Sequence, residues 1–191
     1  MSDQPRVSMS TVEPQLPKIL GLSDSVELYV DVASDDWEDV PAMILLIQKC
    51  VAAVLAAFSL ADTPLELSVR LTDDADIAHL NREYRKQDKP TNVLSFSGFE
   101  RDELQDAYDV AASDGPPVML GDIIITHGVT SREAREQDKA FSDHMAHLVV
   151  HGLLHLMGFD HIEEEEANEM ESHEKNILAS LGIDDPYVGS N

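Results

Sequence analysis

Apolar and polar residues first alternate where Val26, Leu28, Val30 and Val32 are set against Glu27, Tyr29 and Asp31. That is the period of a strand with one buried face. It returns at Leu65, Leu67, Val69 and Leu71, against Glu66, Ser68 and Arg70. Between these strands the chain is apolar nearly all round from Pro41, which suits a first helical turn, to about Phe58. That stretch is long enough to raise a membrane span. Gln48 and Lys49 sit at its middle, however, where a lysine costs roughly 3 kcal/mol on insertion scales, so a buried core helix is predicted. Asp73 or Asp74 can cap a short helix with Ile77, Leu80 and Tyr84 on its inner face and His79 off it. Pro90 opens an extended segment, with a short strand at Val93 to Phe96. Residues 99 to 120 are acidic and contain Asp114-Gly115-Pro116-Pro117, which suits a surface loop. Ile123 to Ile125 read as a central strand, with Asp122 before it as a turn cap ahead of any ligand-orienting role. Val129 to about Gln137 are weakly helical, and the pattern leaves His127 unplaced.

The last third changes character. From Met145 to Met157 the chain is apolar between histidines and free of proline, which predicts a buried helix with Ser142 or Asp143 as its cap. Gly158 ends it, and Phe159 can fold back onto Leu154. Glu163 to Glu166 open a final helix whose inner face is Ala167, Met170, Ile177, Leu178 and Leu181, ending at Gly182. Its glutamates and His173 read as solvated. Alternating elements followed by clustered helices give an α+β (mixed α/β) fold: a small mixed sheet of about four strands packed with about five helices.

A length of 191 residues suits one domain, residues 25–191, behind a tail of serine, proline and charge at 1–24. The single cysteine, Cys50, permits no internal disulfide and reads as a small apolar helix residue. With no secretory signal at the start, a cytoplasmic location is expected. The net charge of −24 repels nucleic acid at long range, so any RNA contact must be local. Arg82, Arg85, Lys86 and Lys89 are four of only 13 basic residues. They suit a phosphate-binding spot or a solvated helix end equally well.

The stretch from His144 to His161 holds five of the eight histidines. On a helix His151 and His155 stand one turn apart on one face, and the reversal at Gly158 brings His161 toward the same point. The spacing H-x3-H-x2-G-x2-H matches the ligands of the extended zincin motif. Gly152, however, replaces the glutamate that zincins use as general base. A glycine there signals close approach of a substrate or backbone, or tight helix packing. Three neutral nitrogen ligands without cysteine favour zinc, one Zn2+ per chain, ahead of nickel or copper. They also leave a fourth position open, as catalytic sites do. His144 and His147 share the histidine stripe, as supports of the ligands, groups at the site's mouth, or buried hydrogen-bonded residues.

The segment HGLLHLMGFDH (His151 to His161) resembles the signature of the YbeY family, bacterial rRNA maturation factors proposed to be metal-dependent endoribonucleases. LNREYRKQDKPTNVLSF (Leu80 to Phe96) and LGDIIIT (Leu120 to Thr126) are similar to that family's other segments, in the same order. The resemblance implies a compact sheet with the metal helix at its core, and the metal ligands His151, His155 and His161. It also puts a functional arginine at Arg85 and a phenylalanine, Phe159, where the family commonly has tyrosine. It further implies a single-strand-specific endoribonuclease acting in small-subunit 16S rRNA 3′-end processing and ribosome assembly or quality control. Its partners would be RNA and the small subunit or a basic ribosomal protein, without a membrane. Asp160, between ligands, is a candidate base or a partner that supports a ligand. Two other readings remain open: a metallohydrolase of peptides or small molecules, and a non-catalytic assembly factor whose metal fixes the fold.

Overall fold

The computed structural model describes residues 22–188. Most of the predicted tail, residues 1–21, lies outside the described residues. Ten elements follow in order: β1 (Val26–Val32), α1 (Val40–Ala57), β2 (Leu65–Thr72), α2 (Asp74–Arg85), β3 (Val93–Ser97), α3 (Leu104–Ala112), β4 (Val118–Thr126), α4 (His127–Glu136), α5 (Phe141–Leu156) and α6 (Glu164–Ser180). The sheet order is β1-β2-β4-β3. β1, β2 and β4 are parallel, and β3 closes one edge antiparallel to β4. The fold is thus α+β with a mixed four-stranded sheet, as the pattern predicts.

Alternation decides which face each strand buries. Leu65, Leu67, Val69 and Leu71 of β2 and Ile123 and Ile125 of β4 join the main core, which α1 and α5 cover. Ile124 points the other way, into a smaller cluster with Ile77 and Leu94 beneath α2. The second half of β4 is therefore covered on both faces, which is why Ile123 to Ile125 form a continuous apolar run. α1 is long and apolar enough to cross a membrane by length and composition alone. Here it packs against α5 and α6, with Ile47, Cys50, Val51 and Val54 fully buried and Lys49 exposed. Burial pushes the Cys50 thiol up to about 12, so it is an inert packing group.

Several expectations are corrected. Residues 99–120 are not all loop, because α3 lies within them and buries Leu104 and Ala111. Leu104, Ala107, Tyr108 and Ala111 carry a helical period that the surrounding acids disguise. This brings the helices to six among the described residues. Asp73 alone caps α2, accepting from the backbone N–H of Ala75 and Asp76, both at 2.9 Å. Asp74 instead accepts from Thr126 Oγ1 and Val129 N–H at the start of α4. Neither Ser142 nor Asp143 caps α5, which begins before both, at Phe141. Tyr84 is not an inner-face residue: it is 61% exposed and meets Phe96 edge-on, while Asn81 is the buried neighbour of Ile77. His173 is not solvated but packs between Phe58 and Phe159. Asp122 caps no turn and accepts a cross-strand hydrogen bond from Ser68. His127 lies against Trp37 and Phe141.

Candidate functional site

α5 is the central helix of the molecule, touching β3, β4, α1, α4 and α6. Its apolar residues face this surrounding protein, so its remaining stripe carries His144, His147, His151 and His155. At its end Gly158 takes a left-handed φ of 84°. The N–H of Phe159 then reaches back to Leu154 O at 3.0 Å, and that of Gly158 to His155 O at 3.0 Å. This pair of bonds is the Schellman stop, which reverses the chain sharply. The reversal delivers His161 to the first two rings, with centroids 5.5 Å from His151 and 5.0 Å from His155. One ligand atom from each of the three rings lies within 4.8 Å of the others.

The hydrogen bonds assign the tautomers. His151 Nδ1 meets Glu174 Oε1 at 2.7 Å, and His155 Nδ1 meets the Phe159 carbonyl at 2.9 Å. Both acceptors lack protons, so each Nδ1 carries its ring's hydrogen and each Nε2 presents a lone pair. Those two Nε2 atoms face one another at 3.1 Å. Two lone pairs at that distance repel unless a cation lies between or beside them, so the donor set fits a transition metal ion. Burial, and then the neighbouring His151, push His155 down to about 4, which keeps it a neutral ligand near pH 7.

Glu174 was not foreseen. It is fully buried on α6 and accepts from His151, from His147 Nε2 at 3.2 Å, and from the Tyr187 hydroxyl. Burial alone would raise it, but the bonds from His147, His151 and Tyr187 outweigh burial and bring it down to about 2. The same contact, added to burial, drives the Tyr187 hydroxyl strongly upward. A signal for Glu174 was in the sequence: it sits between Met170 and Ile177, in the middle of the inner stripe of α6. A charged residue at a core position needs partners. His147, His151 and Glu174 also come close enough to be read as a second ligand set. Their atoms already satisfy one another by hydrogen bonds, so they form the support behind His151. His144 stands apart: its Nε2 bonds Glu133 at 2.9 Å, and Asn92 reaches the same oxygen at 2.9 Å. Burial would raise Glu133 as well, yet these two hydrogen bonds lower it.

In front of the rings lies a cleft of about 740 Å³, which brings together His151, His155, His161, Arg85, Asp160, Ser95, Ser97 and Arg101. Arg85 ends α2 and makes no ion pair among the described residues. The rest of the basic cluster is absent from the cleft wall. Arg82 pairs with Asp88 at 3.7 Å, and Lys86 Nζ donates to Glu83 O at 2.8 Å. Asp160 Oδ1 accepts from the backbone N–H of its neighbour His161 at 2.7 Å, which steadies the turn. Gly152 faces the sheet: an added Cβ would stand 3.0 Å from Ile123 Cγ2 and 3.1 Å from Ser95 Oγ. Tight packing explains this glycine, since a side chain there would have to displace Ile123 and Ser95.

Residues 31–182 match the family described as Endoribonuclease YbeY. A protein of that name from Paramagnetospirillum magneticum is 44% identical over 164 residues, covering 85% of this chain and 96% of the relative. Another from Rhodospirillum rubrum is 48% identical over 170 residues, covering 85% and 82%. The solution structure of TM1509 from Thermotoga maritima shares the fold, with a TM-score of 0.51 at 20% identity over 82% of this chain and 91% of that one. The matched span runs from the end of β1 through α6 and takes in the three histidines, Arg85 and Glu174, and with these identities the chain belongs to the Endoribonuclease YbeY family.

Proposed function

We propose that this protein is a zinc-dependent endoribonuclease that cuts single-stranded RNA, acting in 16S rRNA 3′-end maturation and ribosome assembly in the cytoplasm. The observation that carries the chemistry is the pair of facing Nε2 lone pairs, 3.1 Å apart, with His161 beside them and Arg85 in the same cleft. The substrate class rests on the activity for which the relatives are named.

His151, His155 and His161 are the residues that would hold the ion. A zinc ion bound there would polarise a phosphoryl oxygen and acidify water. Glu174 and the Phe159 carbonyl keep the first two rings in the ligand tautomer. Arg85 can offer two parallel hydrogen bonds to the phosphate, where negative charge grows in the transition state. Asp160 is the carboxylate between ligands that can take a proton from the attacking hydroxyl. With a net charge of −24 the protein attracts RNA only locally, which favours delivery by a basic protein of the small ribosomal subunit. Gly152, closed against Ile123 and Ser95, weighs against a peptidase of zincin type.

The test is cleavage of a 16S 3′-terminal RNA fragment by purified protein, with and without chelator. Specific cleavage that stops on chelation and returns with zinc is the expected result. Equal cleavage in both conditions would remove the metal from the mechanism. No cleavage with the fold and metal intact favours the assembly-factor reading.

A further inference from the structure

The cleft holds a second arginine whose surroundings differ from those of Arg85. Arg101 follows β3, and its stem lies against Gly158: a Cβ added there would lie 3.2, 3.0 and 2.9 Å from its Cα, Cβ and Cγ. The stem of Arg101 thus packs beside the turn that carries His161. The guanidinium is held loosely by comparison. Its carbon lies 5.8 Å from the centre of the Phe159 ring, with Nη1 3.5 Å from Glu166 Oε1 and Nη2 4.0 Å from Glu169 Oε2. Good charge-assisted bonds measure about 2.7–2.9 Å. All three side chains are also well exposed, at 55%, 39% and 53%. Pairs of this kind contribute little, and a phosphate that accepts two bonds from one guanidinium competes well with them.

We propose that Arg101 is a second phosphate contact for the RNA strand, taking a phosphodiester that flanks the one at Arg85. We propose further that Glu166 and Glu169 compete with RNA for it. This rests on the reading of RNA as substrate. The cleft then carries two arginines of unlike kind: Arg85 is free for phosphate, whereas Arg101 exchanges two carboxylates for phosphate as the strand seats. The two glutamates keep the second contact from being spent on any passing anion and set how tightly this acidic protein grips RNA.

The test is a binding titration with a fluorescent 2′-O-methyl oligouridylate of about ten nucleotides and zinc-loaded protein, repeated over a range of salt. Arg101→Ala should weaken binding and reduce the slope of log K against log salt by about 0.7, the value for one phosphate on a single strand. Glu166→Gln with Glu169→Gln should tighten binding by about fivefold, and that gain should vanish when Arg101→Ala is added. All these side chains are exposed, and zinc content and melting temperature check that the variants remain intact. A gain of equal size with and without Arg101 would mean that the glutamates act only by general repulsion, and would overturn the proposal. So would an unchanged salt slope in Arg101→Ala. A flat titration of the unaltered protein is a different result: it removes the RNA reading itself, and this proposal with it.

Discussion

The two ring nitrogens of His151 look into opposite environments. Behind it, Nδ1 belongs to a buried network in which Glu174 collects His147, His151 and Tyr187. In front, Nε2 faces the Nε2 of His155 across 3.1 Å, at the wall of an open cleft. Both regions are dense in titratable groups, yet only the second has acceptors facing acceptors. Histidine density by itself therefore does not mark a site. A cluster whose polar atoms satisfy one another is scaffold, and one whose lone pairs converge without a proton is a place for a cation.

His151→Ala breaks both regions at once and should have the largest effect. Most of the bound metal should be lost in elemental analysis, and undiminished metal would refute the ligand assignment. Next is Arg85→Lys, which touches only the cleft. Turnover should fall by a factor on the order of 100 to 1,000, with metal content and melting temperature near those of the parent. Arg82, which does not line the cleft, supplies the control: Arg82→Lys should leave turnover alone. Comparable activity in both variants would leave Arg85 with a structural role only.

Glu174→Gln addresses the rear network alone. An amide in place of the carboxylate holds the His151 tautomer less firmly, so zinc affinity should drop by roughly 10- to 100-fold. Competition with a chromophoric chelator measures this directly, and parental affinity would separate the network from the metal site. The smallest effect expected is on pH dependence. His155 binds its proton at about 4 in the folded protein against an ordinary 6.5, so the unfolded chain takes up that proton first. Metal-free protein should therefore lose stability as the pH falls from about 6.5 to about 4. Glu174, brought down to about 2 from 4.5, extends the loss to still lower pH. Melting temperatures of the metal-free parent and His155→Gln between pH 7 and 4 test this, since parallel curves would place the acid sensitivity in other groups.

The sequence by itself determined the four strands, the core role of α1, the histidine triad and its reversal at Gly158. Each is a local property: a period of two, an all-round apolar helix, ligands one turn apart, a residue that accepts positive φ. α3 was equally local, in the spacing of Leu104, Ala107, Tyr108 and Ala111, but acidic neighbours masked it. Only the tertiary structure decided the rest. It took α5 and α6 packing together to show that Glu174 backs His151, and α5 against the sheet to show why position 152 is glycine. Of the basic residues near Arg85, Arg82 and Lys86 turn toward Asp88 and the Glu83 carbonyl, away from the cleft wall that Arg85 lines. The physical reason is the range of the interactions. Periodicity and capping act within a few residues, whereas a buried charge finds its partner, and an arginine its cleft, across elements that are distant in sequence until the core brings them together.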